Sequence, residues 1–323
     1  LLATNKQLPK ARLHAIHIDH GLHAESARWA EHCAEVATSL GVDFHCHRVA
    51  VSGIADTGLE AAARQARYQA IAEELSENDI VLTAQHQEDQ AESLLLQLLR
   101  GAGPKGLSAM AGSSSLGQGQ LMRPFLGVNQ SAIKAYAACH QLHWLDDPSN
   151  DDQQFNRNYI RHAVWPVIVQ RWPSAASTLS RSAEHCAESE SLLSELAELD
   201  LAHLAVADGV NYLPVSGLLT LSRARCRNLL RYFIAHHQFV LPSTVVLQKI
   251  IEDVCLAAKD SAPIIRWTGV EVRRYQGQLY FLSPLSEHDV ARSISLHGPD
   301  KITLSEQCCV TWLPADKLGV SQD

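Results

Sequence analysis

Four side chains able to grip a charged ligand fall close together in the stretch TAQHQEDQAESLLLQLLRGAGPKGL, Thr83 to Leu107: His86, Glu88, Asp89 and Glu92. Residues three apart on a helix are surface neighbours, so the spacing predicts His86, Asp89 and Glu92 along one face. Acidic residues in a first helical turn are also ordinary caps, because they complement the helix dipole and satisfy free amides. Position weighs towards a site. The stretch follows a buried strand, DIVLTAQ, and ligands of open parallel sheets bind beyond the carboxyl ends of the strands.

The elements that must position these groups can be read on either side. Leu13 to Leu22 is a predicted strand ending at Gly21, Ala24 to Leu40 a helix ending at Gly41, and Asp43 to Val51 the next strand. Leu59 to Leu75 is a helix, Ile80 to Ala84 a third strand, and the helix carrying Asp89 follows. Its leucines at 94, 95, 96, 98 and 99 predict that it is mostly buried. Strand and helix alternate, the mark of a parallel α/β sheet with crossover helices. The evenly spaced His14, His17, His20 and His23 invite a zinc reading. A strand alternates sides, however, so His14 and His17 face opposite ways, and no metal is assigned. GAGPKG, Gly101 to Gly106, follows a helix and not a strand, which makes it a helix stop and turn, not a phosphate loop. Gly112 to Gln120 reads as a flexible loop before a short strand, and Ser131 to His140 as a helix.

WLDDPSNDDQQFNRNYIRHAVWP, Trp144 to Pro166, is predicted as an acidic turn followed by a helix with Arg157 and Arg161 near its start. Those arginines could pair with the acids of the turn. Thr178 to His203 reads as a long connecting helix. After Gly209 comes a second module of helices and a hairpin, in which VEVRRY and QLYFL meet at Gln276 and Gly277. One of its helices carries Arg223, Arg225, Arg227 and Arg231; with Arg273 and Arg274 this would suit RNA phosphates, or form an ordinary solvated face.

With 323 residues the chain should hold about two domains of ~100–200 residues each. The organisation predicted is residues 1–182, a connector 183–207, a substrate domain 208–285 and an incomplete C-terminal segment 286–323. No apolar run approaches the ~18 residues that cross a bilayer, so no membrane partner is expected. Eight cysteines without a CxxC pair favour a reduced, cytoplasmic setting over a disulfide framework, and the vicinal Cys308 and Cys309 are read as strand residues. The net charge of −8 weighs against nonspecific RNA binding but not against a local basic patch. The opening at Leu1 without methionine, and the short segment after Ser286, read as the ends of a fragment.

In this order, IDHGL, GLEAAARQARYQAI, TAQHQEDQAESLLLQLLRGAGPKGLSAM, RPFL and WLDDPSNDDQQFNRNYIR resemble the tRNA(Ile)-lysidine synthetases over roughly Leu13 to Pro166, and the helical module beyond also looks similar. Two departures stand out: Gln85 where many members carry histidine, and Glu88 where many carry aspartate. The resemblance implies an α/β, parallel-sheet PP-loop domain (adenine nucleotide alpha hydrolase-like) with a second, mainly helical smaller domain. The SGGxDS phosphate loop of that family is not in the sequence and is expected upstream of Leu1, so this stretch alone is expected to be inactive.

The activity implied is a ligase forming a carbon–nitrogen bond. ATP, with Mg2+, adenylates the 2-carbonyl oxygen of the wobble cytidine in a tRNA(Ile) with a CAU anticodon and releases pyrophosphate. Free L-lysine then displaces AMP to give lysidine. Carried over residue by residue, Asp89 and Glu92 hold lysine and Arg64 stabilises developing charge, with Arg67 as the alternative. Arg157, with Arg161 beside it, engages tRNA, and Ile18, His20 and His86 border the nucleotide; Arg223, Arg225 and Arg227 are added as tRNA contacts from the basic helix itself, not from the resemblance. A homodimer is left open. A tRNA thiolase and a non-catalytic tRNA-binding remnant are the rival readings. A base deaminase is disfavoured because its zinc motif is missing.

Overall fold

The computed structural model describes residues 13–53, 58–207, 209–258, 261, 263–284, 301–305 and 308–311. The chain divides into two compact units, Leu1–Glu198 and Leu199–Asp323.

In the first unit, β1 (His14–Asp19) and β2 (Asp43–Arg48) pair in parallel, from His14 opposite Asp43 to Asp19 opposite Arg48. The crossover between them is α1 (Ser26–Ser39), which ends where Gly41 adopts φ 66°. The next helix, α2 (Leu59–Glu74), leads to β3 (Ile80–Leu82). The expected flexible loop at Gly112 to Gln120 is instead part of a hairpin: β4 (Ser113–Leu116) turns back antiparallel onto β5 (Gly119–Met122), and β5 lies parallel to β3. The serines and glycines that suggested a loop serve as an edge strand and its turn. Glycine is needed there, since a Cβ on Gly119 would lie 2.6 Å from the Asp79 carbonyl oxygen.

Beyond the carboxyl end of β3, the chain enters α3 (Gln87–Leu99). The entry is fixed by backbone bonds. Thr83 N–H donates to Met122 O at 3.0 Å, and Gln87 N–H to Val128 O at 3.0 Å. α3 is less buried than its leucines suggest: Ala91, Glu92 and Leu94 are buried, whereas Leu98 is 57% and Leu99 78% exposed. Only its first half is covered by neighbours, so periodicity alone overstated the burial. After α4 (Gln130–Cys139), a 3-10 turn (Pro148–Asp151) leads into Asn156–Tyr159, a π-turn (Ile160–Val164) and Trp165–Arg171, followed by the 29-residue α5 (Ala175–His203).

The second unit buries a core of its own. Strands β6 (Tyr212–Pro214), β7 (Ile264–Trp267), β8 (Val270–Tyr275) and β9 (Gln278–Leu282) form an antiparallel sheet in the order β6-β9-β8-β7. The expected hairpin is its centre, turning at Gln276 (φ 46°) and Gly277 (φ 77°), where two consecutive left-handed residues match the strand twist. Against the sheet, α6 (Arg223–His236) sets Leu229, Leu230, Phe233 and Ile234, all buried, with Phe233 and Phe281 ring centroids 5.2 Å apart. Short α7 (Thr244–Lys249) continues as a π-helical turn, Ile250–Cys255. Burial pushes the Cys226 and Cys255 thiols up to about 11 and about 12, so both are inert core residues. Cys308 lies in a strand, Cys308–Thr311, paired antiparallel with Lys301–Ser305. Among the described residues no helix is long and apolar enough to cross a membrane.

Candidate functional site

The acidic face of α3 meets the arginines of the π-bulged helix. Asp89 has one carboxylate oxygen on the helix start, where His86 N–H donates to Oδ2 at 3.0 Å. Its other oxygen accepts from Arg161 Nη2 at 2.9 Å and Arg157 Nη2 at 3.3 Å. One turn on, Glu92 accepts from Arg161 Nε at 2.7 Å on Oε1, and from Arg161 Nη2 at 2.8 Å and Arg157 Nε at 3.1 Å on Oε2. Two carboxylates and two guanidiniums thus form a closed, neutral cluster. Closure is what permits burial: Glu92 is 1% exposed, and a carboxylate so placed needs its charge paired and its lone pairs filled. The hydrogen bonds that Arg161 donates to Glu92 raise the pKa of its guanidinium above the ordinary value, outweighing the desolvation that opposes it.

Local sequence explains the geometry. Arg157, in the turn Asn156–Tyr159, and Arg161, in the π-turn Ile160–Val164, are four apart in sequence, and buried Ile160 anchors the start of that π-turn. Of the acids in the preceding turn, offered by the sequence as alternative partners, Asp147 and Asp152 are otherwise employed. Asp147 Oδ1 accepts from Ser149 N–H at 2.8 Å and Asp152 Oδ1 from Gln154 N–H at 3.0 Å. Asn158 Nδ2 ties that turn down by donating to Ser149 O and Asp152 O at 2.8 and 3.0 Å.

Beside the cluster opens a cavity of about 520 Å³ lined by Arg64, Ser93, Gln97, Arg100, Asn156 and Arg157. Three guanidiniums against one lining carboxylate, Glu60, make it suited to an anion or to a polar base edge. This separates the two arginines that the sequence left open. Arg64 lines the cavity and lies over the Tyr68 ring at 4.9 Å, whereas Arg67 Nη2 stands 3.5 Å from His20 Nε2. Ile18 and His20 are at the end of β1 and outside the cavity lining. His20 Nδ1 is buried without a hydrogen-bond partner, and burial, then Arg67, lowers the imidazole below its ordinary value. His86 lies within the acidic group, Nδ1 at 3.1 Å from Glu88 Oε2 and Nε2 at 3.5 Å from Asp89 Oδ2, although Nδ1 makes no hydrogen bond of acceptable direction. A second cavity, about 570 Å³, is mainly apolar, lined by Trp29, Phe44 and Trp144 among others.

Arg100 and Gln97 escaped the sequence reading. Their signal was the spacing Ser93, Gln97, Arg100, which is i, i+4, i+7 on one face of α3. In the second unit the basic helix is not uniform. Arg225 is paired with fully buried Asp200, its Nε 3.3 Å from Oδ2, while Arg223 and Arg227 have no ion pair among the described residues. Arg273 pairs with buried Glu271, and Arg274 Nη1 donates to the Cys255 and Ala257 carbonyls at 3.1 and 2.8 Å, so neither is part of an open cationic patch.

The chain matches the model of a PP-loop domain over residues 1–168 and that of the TilS substrate binding domain over residues 213–280. It is 44% identical to a tRNA(Ile)-lysidine synthase of Coxiella burnetii over 88% of this chain and 63% of that protein, and so spans just under two thirds of that relative's length. It is 40% identical to a tRNA(Ile)-lysidine synthase of Pseudomonas fluorescens over 95% of this chain and 71% of that protein. The U34-tRNA thiolase NcsA of Methanococcus maripaludis superposes with a TM-score of 0.47 at 13% identity, covering 57% of this chain and 64% of that one, too slight a likeness to bear on function.

Proposed function

The chain belongs to the tRNA(Ile)-lysidine synthase family, and from that membership we propose that its protein joins free L-lysine to the wobble cytidine of a CAU-anticodon tRNA(Ile). ATP is the co-substrate. The cytidine 2-carbonyl oxygen attacks the α-phosphorus as pyrophosphate leaves; the lysine side-chain amine then attacks C2, AMP departs with the bonding pair, and the amine gives up a proton. The observation that carries this reading for the present residues is Arg157, which lines one polar cavity together with Arg64 and is paired behind it with the carboxylates Asp89 and Glu92.

In this reading Arg64 stabilises charge on phosphate or on the adenylated carbonyl, from a helix whose backbone holds it ready. Arg157 faces both ways, towards the cavity and towards the carboxylates, and engages the reacting nucleotide. Asp89 and Glu92 receive the lysine ammonium by exchange. Because both already accept from guanidiniums, the incoming ammonium takes over bonds of Arg157 and frees it for the tRNA. Charge in the cluster stays balanced throughout, so no carboxylate is buried bare. Arg161 remains as the fixed counter-ion. Ile18 and His20 lie by the adenosine, where the unpaired His20 Nδ1 offers a neutral imidazole to a base or ribose, and His86 sits at the same rim. Mg2+ accompanies the ATP phosphates. Arg223 and Arg227 supply tRNA phosphate contacts from the second unit. The domain arrangement proposed is a PP-loop domain to residue 182, a connector to 207 and a substrate domain to 285. The setting is cytoplasmic, and a homodimer is left open.

Labelled lysine, ATP and a CAU-anticodon tRNA test the reading, with this chain measured beside the protein in its natural reading frame. Lysine-dependent label in the tRNA with stoichiometric AMP supports it. Absence of label from both, with tRNA still bound, favours the non-catalytic remnant.

A further inference from the structure

The β1–β2 pair carries a group of side chains that the proposed reaction does not use. On β2, His45 and His47 are two apart and share a face of the strand. Glu74, at the last turn of α2, reaches the same place. One ligand atom from each of the three lies within 4.8 Å of the others. His47 Nε2 and Glu74 Oε1 are 2.6 Å apart, yet they do not meet along a hydrogen-bonding direction, and that nitrogen is buried without a hydrogen-bond partner. An imidazole nitrogen and a carboxylate oxygen that converge without bonding each other are arranged as two ligands of one ion are. A third histidine holds the group from β1: His14 Nδ1 lies 3.4 Å from His45 Nε2 and 3.9 Å from Asp43 Oδ2. Outer partners of this kind orient metal-bound imidazoles.

We propose that His45, His47 and Glu74 bind a zinc-class divalent ion that clamps edge strand β2 to the C-terminal end of α2. Tetrahedral ligands on bonds of about 2.0–2.2 Å stand about 3.4 Å apart, between the 2.6 Å and 4.8 Å separations found here. Two imidazoles and one carboxylate without a thiolate select Zn2+ or a neighbouring transition ion over Mg2+ or Ca2+, and water completes the shell. The strand-alternation argument against zinc at His14 and His17 holds within one strand; the ligands come instead from the neighbouring strand and a helix. The ion would stabilise α2, the helix that bears Arg64, while lying outside the polar cavity.

The full chain carrying Cys308→Ser and Cys309→Ser, which removes the vicinal thiols, is titrated with Co2+ and separately with Zn2+, beside the same chain carrying His45→Ala or Glu74→Gln. His45 is exposed, so its replacement leaves the fold intact, as far-UV circular dichroism will report. The expected result is one equivalent of Co2+ with visible d–d absorption and no thiolate charge-transfer band. A rise in Tm with Zn2+ should accompany it, and each variant should bind at least tenfold more weakly. Undiminished Co2+ affinity in both variants, a thiolate band on the bound ion, or a Tm indifferent to Zn2+ would overturn the site and leave His47 and Glu74 as an ion pair.

Discussion

Arg161 grips Glu92 side-on, with Nε on one carboxylate oxygen at 2.7 Å and Nη2 on the other at 2.8 Å, across 69 positions of sequence. Glu92→Gln would keep the shape and remove the charge, leaving two guanidiniums with only Asp89 to balance them. Removing one partner of a fully buried pair costs ~3–5 kcal/mol; because Arg157 and Arg161 retain some solvent contact, we expect about 2–3 kcal/mol here. Denaturant unfolding measures it, and a loss under about 0.5 kcal/mol would mean that the cluster is no more than a surface network.

Asp89 is the cluster's more accessible carboxylate, with its side chain 13% exposed against 2% for Glu92. Asp89→Asn should therefore raise the KM for lysine by tenfold or more and change that for ATP by less than threefold. Kinetics with each substrate varied in turn decide it; equal losses in both would take Asp89 out of the lysine site.

On α6 the arginines should separate by role. Arg223→Ala with Arg227→Ala should weaken tRNA binding and flatten its dependence on salt by about 0.9 for each phosphate no longer neutralised. Arg225→Ala should instead lower Tm, since it strands the buried Asp200 carboxylate. Filter binding across several salt concentrations, with a melting curve for each variant, distinguishes the two. Salt slopes unchanged by the double substitution would return that face to ordinary solvation.

His17 and His20 are both held below the ordinary histidine value, by burial first and, at His20, by Arg67 next. In the window between their folded values and the unfolded value of about 6.5, the unfolded chain holds more protons than the folded one. Stability from these groups is therefore present above about pH 6.5 and lost as pH falls through their folded values. His20→Gln should flatten the slope of Tm between about pH 7 and 5.5. An unaltered slope would show that His20 takes no part in that loss.

Periodicity and punctuation in the sequence determined the alternation of strands and helices up to α3, the turn at Gln276 and Gly277, and the spacing of His86, Asp89 and Glu92. These are local properties, set by backbone sterics and by which face of an element is apolar. Side-chain identity also carried the family resemblance. The tertiary structure decided what those groups touch. Asp89 and Glu92 found Arg157 and Arg161, and not an open solvent face, because burying Glu92 requires charge brought from a distant helix. Tertiary packing likewise turned the serine-rich stretch at 113–116 into an edge strand, left the end of α3 in solvent, and divided Arg225 from Arg223 and Arg227. It also drew His45, His47 and Glu74 together from a strand and a helix whose sequence separation conceals their convergence. Pairings between remote charges have no local periodicity to announce them, so only the packed chain reveals them.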